Sequence, residues 1–124
     1  MMKLTDVQQK SQTEKLTNKK EGLFRMSFET PLKKGFEVKD MNTNHVKELH
    51  NFLKETVYKG LTISQVDQLF LRKRGLSDAP KVFHNDEALL HYGKDQKQFR
   101  IFGYYNDKGY FVICRIDGDH KTHT

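Results

Sequence analysis

Residues 88–124 combine arginines with aromatic and histidine side chains, a set that could bind and act on a phosphate. Apolar strands normally exclude arginine, and an arginine kept in one usually has an anion, a carboxylate or water as its partner. Arg100 and Arg115 each lie in such a strand. Two guanidinium groups on one face could hold a phosphate, and Tyr104 and Phe111 could offer rings on which bases stack.

Histidines near these arginines could transfer protons, because imidazole titrates near neutral pH. His120 follows the last predicted strand and His91 lies in an earlier one. Asp117, Asp119, His120 and His123 form the pattern D-x-D-H-x-x-H, which superficially indicates a metal cluster. Metal ligands are usually held by rigid elements, and the segment after the last predicted strand offers few of them, so we expect no metal. Histidines exposed to solvent are the plainer interpretation of this segment.

The two arginines lie on the predicted strands of a hairpin, Gln98–Tyr105 and Tyr110–Asp117. Pairing about the intervening turn places Arg100 opposite Arg115, and like charges directly opposite are unfavourable unless something negative lies between them. Two interpretations stay open: Asp117 neutralises one or both guanidinium groups, or the pair forms a cradle for phosphate. The face expected to pack under the helices carries Ile101, Gly103, Tyr105, Tyr110, Val112, Cys114 and Ile116.

The spacing of apolar residues predicts the strand and helices that position this hairpin. Alternating apolar residues predict a strand over Leu23–Thr30. An apolar stripe from Val46 to Val57 predicts a first helix, with His45 and His50 on its surface. Thr62 with Gln65 makes a capping box that begins a second helix. The predicted fold class is therefore α+β: an N-terminal strand, a helical hairpin, then a three- to four-stranded antiparallel sheet.

Composition predicts one domain, residues 22–124, after a flexible polar tail, residues 1–21, which has too few apolar anchors to offset its ordering entropy. The 22 Lys and Arg against 16 Asp and Glu give a net charge of +6. That charge favours nucleic acid or an acidic protein as partner, with solubility alone as the plainer explanation. Arg72, Lys73 and Arg74, expected in the last turn of the second helix, are further candidates for nucleic-acid contact.

Cys114 is the only cysteine, so the chain holds no internal disulfide and suits a reducing compartment. No apolar run is long enough to span a membrane, and no signal peptide is recognisable. We expect a cytoplasmic protein with no membrane partner.

The motifs F-R-I-F-G-Y-Y at 99–105 and F-V-I-C-R-I-D-G-D-H at 111–120, with this element order, resemble the RelE/YoeB/ParE toxin superfamily. Ribonuclease members of that family cut mRNA on the ribosome without metal or other cofactor. The 2′-hydroxyl attacks the adjacent phosphodiester, while the protein supplies a base, an acid and an arginine that holds the phosphorane.

Carried onto this chain, the resemblance makes Arg100 the phosphate clamp, His120 the general acid and Arg115 an auxiliary group, with Glu87 and His91 as candidates for the base. The partners it implies are RNA or the ribosome, and an antitoxin protein. Other members of the family act on gyrase and lack the nuclease residues, so fold alone does not fix activity. The alternative is a non-catalytic phage or mobile-element interaction module that binds nucleic acid or an acidic protein.

Overall fold

Two α-helices pack against one face of a five-stranded mixed sheet, and two further strands form a small separate hairpin. The computed structural model describes residues 20–72 and 82–123. The predicted α+β class is confirmed. Lys73, Arg74 and most of the predicted tail lie outside the described residues.

The strands are numbered as they occur along the chain, and those of the main sheet lie side by side in the order β1-β7-β6-β5-β2. They are β1 Met26–Ser27, β2 Leu71–Arg72, β3 Phe83–His84, β4 Glu87–Ala88, β5 Leu90–Tyr92, β6 Arg100–Tyr105 and β7 Phe111–Asp117. Strands β7, β6 and β5 are antiparallel, as predicted, and the unpredicted β2 adds to β5 in the same way, but β1 joins β7 in parallel. The predicted strand over Leu23–Thr30 is much shorter, because only Met26 and Ser27 pair with β7.

The helices are α1, Thr43–Glu55, and α2, Ile63–Phe70. The predicted capping box of α2 is confirmed, since the Thr62 hydroxyl accepts from the Gln65 backbone N–H at 3.2 Å and the Gln65 side chain accepts from the Thr62 N–H at 2.9 Å. The expected end of α2 is wrong. The chain becomes extended at Leu71 and pairs with β5, so Arg72 lies in a strand rather than in the last helical turn.

The core lies between the helices and one face of the main sheet and is rich in aromatic rings. Phe24 packs edge-on against Tyr92, with ring centroids 5.5 Å apart, and Phe52 packs similarly on Phe70. The other core residues are Ile63, Val66, Phe99, Ile101, Phe111, Ile113 and Ile116. Edge-to-face pairs of this kind add stability beyond the area that they bury.

A chain of polar groups crosses this core. The Tyr92 hydroxyl donates to the Asp67 carboxylate and lies 2.6 Å from the Tyr105 hydroxyl. Burial raises the pKa of both phenols, which therefore stay protonated as donors at neutral pH. These three side chains hydrogen-bond to one another, which is the condition under which buried polar side chains are tolerated in a core.

A β-bulge in β7 decides which side chains share a face. Phe102 pairs with Arg115, but the next residue of β6, Gly103, pairs with Ile113, so Cys114 is the extra residue. Beyond the bulge the sides are exchanged: Phe111 and Ile113 face the helices, and Val112 faces away. Gly103 permits this geometry, because a Cβ there would meet the Val112 carbonyl oxygen at 2.1 Å.

Two shifts of register, a connection after Tyr105 that is one residue longer than expected and the bulge itself, overturn two expectations about the hairpin, since Tyr105 pairs with Phe111 rather than with Tyr110. Arg100 pairs with Asp117 rather than with Arg115. Phe111 lies in the core with 0% of its surface exposed, not beside Arg115 on the face away from the helices. We call that second face, which carries Arg72, His91, Arg100, Phe102, Tyr104, Val112, Arg115 and Asp117, the outer face.

Candidate anion-binding face

Four side chains form a row across the outer face of the sheet. Arg72 pairs with His91, His91 with Phe102, and Phe102 with Arg115. Directly paired residues project to the same side, so the four neighbours stand side by side. The His91 and Phe102 rings stack in the middle, with centroids 4.7 Å apart and planes inclined by 22°. We call this arrangement, with an arginine at each end, the guanidinium row.

Arg115 is half-buried between two aromatic rings. Its guanidinium carbon lies 5.0 Å from the ring centroid of Phe36 and 5.9 Å from that of Phe102. Its Nη1 donates to the Thr122 hydroxyl at 3.4 Å, and its Nε is enclosed without a partner among the described residues. Burial lowers the pKa of Arg115, and Asp117 opposes that shift. The rings hold the guanidinium plane in place and leave donors unused.

Arg72, at the other end of the row, is also half-buried. Among the described residues, no carboxylate oxygen lies within 4.0 Å of the guanidinium of Arg72 or Arg115. Three strand spacings separate the two backbones, which is about 14 Å. The stacked rings of His91 and Phe102 stand between them, so the two guanidinium groups are separate from each other.

Arg100 has a structural role in the fold. Only 8% of its surface is exposed, and its Nη1 donates to the carbonyl oxygens of Phe99 at 2.8 Å, Lys94 at 3.2 Å and Lys97. Burial and then the charge of Arg72 lower its pKa, while Asp117 opposes them. Gly93 packs directly on this side chain, since a Cβ there would lie 2.6 Å from Cδ and Nη1 of Arg100. The guanidinium therefore organises the loop between β5 and β6.

The chain after β7 folds back onto the outer face at Asp117. The Asp117 carboxylate, 1% exposed, accepts from the backbone N–H of Lys121 at 2.8 Å and of Thr122 at 2.6 Å. Burial raises its pKa, but the hydrogen bonds of Thr122 and Lys121 and the nearby charge of His120 outweigh burial and hold the pKa below its ordinary value. His120 is thus beside Asp117, and Thr122 reaches Arg115.

His45 was expected on the surface, and that expectation is wrong. The imidazole is buried: its Nδ1 accepts from the Asn42 N–H at 3.2 Å, and its Nε2 lies 2.9 Å from Asp119 Oδ1. It joins the start of α1 to the turn after β7, beside a cavity of about 40 Å³. The local signal for this role is its place three residues after a capping asparagine, where its ring completes the capping box.

The other candidate residues are placed as follows. Tyr104 is half-buried on the outer face, and burial is the main cause of its raised pKa. Glu87 is exposed on β4, and His91 is buried within the row. Within the described residues, no group of three or more His, Cys, Asp or Glu side chains is arranged to hold a metal ion. Neither α1 nor α2 is long and apolar enough to cross a membrane.

No model of a known protein family, no curated protein and no solved structure matches this chain. The similarity to the RelE/YoeB/ParE superfamily therefore rests on the sequence motifs and stays a prediction.

Proposed function

We propose that this protein binds nucleic acid, and RNA in particular, through the guanidinium row of its outer face. The observation that carries this is the pair of half-buried guanidinium groups, Arg72 and Arg115, with no carboxylate of the described residues within ion-pair distance. Taking a cation out of water without a partner costs free energy that a bound anion offsets. Planar guanidinium groups match phosphate oxygens in two-point hydrogen bonds.

The separation of the two arginines favours a polymer of phosphates over a single one. The stacked His91 and Phe102 rings keep one phosphate from reaching both ends of the row. Two phosphates of one strand, not necessarily adjacent ones, can occupy the two ends, and the net charge of +6 attracts such a chain over longer distances. Tyr104 stands on the same face and offers a ring for a base, which favours nucleic acid over an acidic protein.

The test is a titration of a short, fluorescently labelled single-stranded RNA, followed by anisotropy at low salt. Replacing Arg72 and Arg115 together by glutamine removes charge-assisted hydrogen bonds, and we expect affinity to fall by about tenfold or more. The matched control replaces Lys47 and Lys54 of α1, which are exposed on the helical side of the sheet.

The control variant loses the same formal charge and should bind RNA nearly as well as the unmodified protein. Circular dichroism of both variants establishes that they are folded. Equal affinity of the arginine variant and the lysine variant would contradict the proposal.

A second candidate is a RelE-like toxin, a metal-independent endoribonuclease. One observation favours it: Asp117 brings the imidazole of His120 and the Thr122–Arg115 contact to one corner of the outer face. If the imidazole of His120 and the guanidinium of Arg115 reached one phosphate, the imidazole could protonate a leaving 5′-oxygen while the arginine stabilises the phosphorane. The ribosome and an antitoxin protein are the partners implied by this candidate.

Cleavage is tested by incubating the protein with free RNA and with mRNA on ribosomes, and by resolving the products on a denaturing gel. The candidate predicts fragments with 2′,3′-cyclic phosphate ends, and their loss in His120→Gln while RNA affinity is kept. RNA that is bound but intact in both settings, or cleavage that persists in the variant, argues against a nuclease.

A further inference from the structure

The turn formed by residues 33–36 stands beside Arg115, at the edge of β7 that faces away from β6. The backbone N–H of Lys33 donates to the Cys114 carbonyl oxygen at 2.8 Å, and the N–H of Ile116 donates to the Phe36 carbonyl oxygen at 2.9 Å. These two hydrogen bonds flank Arg115 along β7. The turn therefore lies one strand spacing, about 4.8 Å, beyond the Arg115 end of the guanidinium row.

Hydrogen bonding and backbone conformation fix the shape of this turn. The Phe36 N–H donates to the Lys33 carbonyl oxygen at 2.9 Å, and Gly35 has a φ of 88°. A positive φ at the third of four residues is what a type II turn requires, and it makes Lys34 the first corner residue. Phe36 ends the turn, and its ring centroid lies 5.0 Å from the guanidinium carbon of Arg115. The turn and the arginine are thus held at fixed positions relative to each other.

The two lysines of the turn carry charges that no described carboxylate neutralises at close range. Lys33 and Lys34 are exposed, and neither ammonium group lies within 4.0 Å of a carboxylate oxygen of the described residues. The next acidic residues along the chain, Glu37 and Asp40, have other partners. Glu37 lies 3.9 Å from the Lys39 ammonium, and Asp40 accepts from the Glu37 N–H at 3.0 Å. The turn therefore extends the positive charge of the row past β7.

The guanidinium row runs across the strands, and the turn continues the same line. Arg72 on β2 and the turn beyond β7 are separated by four strand spacings, about 19 Å. At about 3.4 Å per nucleotide of a stacked strand, this distance corresponds to about six nucleotides. The alternative path for a bound strand would follow β6 and β7 along their length, toward Lys108 in the turn that joins them.

We propose that Lys33 and Lys34 form a third phosphate-binding position, so that a bound RNA strand crosses the sheet from Arg72 past Arg115 to the turn. Ammonium groups bind phosphate as point charges on flexible stems, which suits lysines at an exposed turn, whereas the aromatic rings hold the guanidinium of Arg115 in place. The inference rests on the proposed RNA binding and adds to it the direction of the bound strand.

The test measures the affinity of a labelled oligouridine of about twelve nucleotides over a series of salt concentrations. Replacing Lys33 and Lys34 together by glutamine should make the slope of log affinity against log salt shallower by about 0.7, the contribution of one phosphate. Binding at low salt should weaken by about threefold or more.

The matched control replaces Lys59 and Lys108 by glutamine and loses the same formal charge. Lys59 is exposed between α1 and α2, and Lys108 is exposed on the alternative path along the strands. The control should keep the slope and the affinity of the unmodified protein, and circular dichroism establishes that both variants are folded.

An unchanged slope in the variant of Lys33 and Lys34, while the variant of Arg72 and Arg115 binds weakly, overturns the third position alone. A control variant that loses as much as the variant of Lys33 and Lys34 overturns it as well, because loss of net charge would then explain the effect. Absence of arginine-dependent RNA binding overturns both the third position and the proposed function.

Discussion

At the scale of single residues, the three outer-face arginines differ in what satisfies them. Arg100 needs no anion, because three backbone carbonyl oxygens accept its hydrogen bonds. Arg115 has two rings and one hydroxyl, and no carboxylate of the described residues within reach of an ion pair. An arginine within a strand can therefore have a purely structural role, as Arg100 does, whereas the Nε of Arg115 has no partner among the described residues.

The buried carboxylate of Asp117 predicts how the free energy of unfolding depends on pH in acid. Its pKa is lower in the folded protein than in the unfolded chain, where the pKa of an aspartate is about 3.9. The folded state therefore binds fewer protons, and the stabilisation is present above about pH 4 and is lost as pH falls through the folded pKa. Asp117→Asn should cost about 1–3 kcal/mol in the free energy of unfolding at neutral pH, and much less in acid.

Urea unfolding at a series of pH values measures this. The difference between the unmodified protein and Asp117→Asn should shrink as the solution is acidified below about pH 4. Asp107→Asn, an exposed position in the turn between β6 and β7, serves as the control with a small and pH-independent effect. A difference for Asp117→Asn that stays constant into acid would show that its carboxylate charge is not what holds the terminal turn.

At the scale of elements, local patterns predicted the pieces well. The capping box of α2 is where the sequence predicted it. The turn between β6 and β7 lies at the predicted position but is one residue longer, since Tyr105 pairs with Phe111, and in it the Asn106 side chain accepts from the N–H of Lys108 and Tyr110. Both features are encoded by residues within four positions of each other. Periodicity likewise predicted the two helices and the α+β class.

Register and burial were harder to predict, for a physical reason. Phe111 was assigned to the wrong side because it pairs with Tyr105, across a connection one residue longer than expected. The extra residue Cys114, which no local pattern marks, shifts the register once more and returns Arg115 to the outer face. The parallel pairing of β1 and the contact between His45 and Asp119 join residues far apart in the chain. The sequence predicted that Arg115 and Tyr104 share a face, and the structure gives them Phe102 and Val112 as cross-strand partners instead of Arg100 and Phe111.

At the scale of the whole molecule, the sheet separates two tasks. One face buries the aromatic core under α1 and α2, and the other holds the cations Arg72 and Arg115 at fixed positions. If Arg72 and Arg115 each bind a phosphate, as we propose, side chains already held in place lose little entropy when a charged polymer binds. A core on one face and cations on the other are compatible with the proposed RNA binding, whether or not RNA is cleaved near Asp117 and His120.

The most direct measurement is the salt dependence of RNA affinity for the unmodified protein and for the variant with glutamine at both Arg72 and Arg115. Each phosphate contact on a single strand contributes about 0.7 to the slope of log affinity against log salt. If the guanidinium row holds two phosphates, the slope of the variant should be shallower by about 1.4. Identical slopes for the two proteins would contradict the proposal that Arg72 and Arg115 bind phosphates.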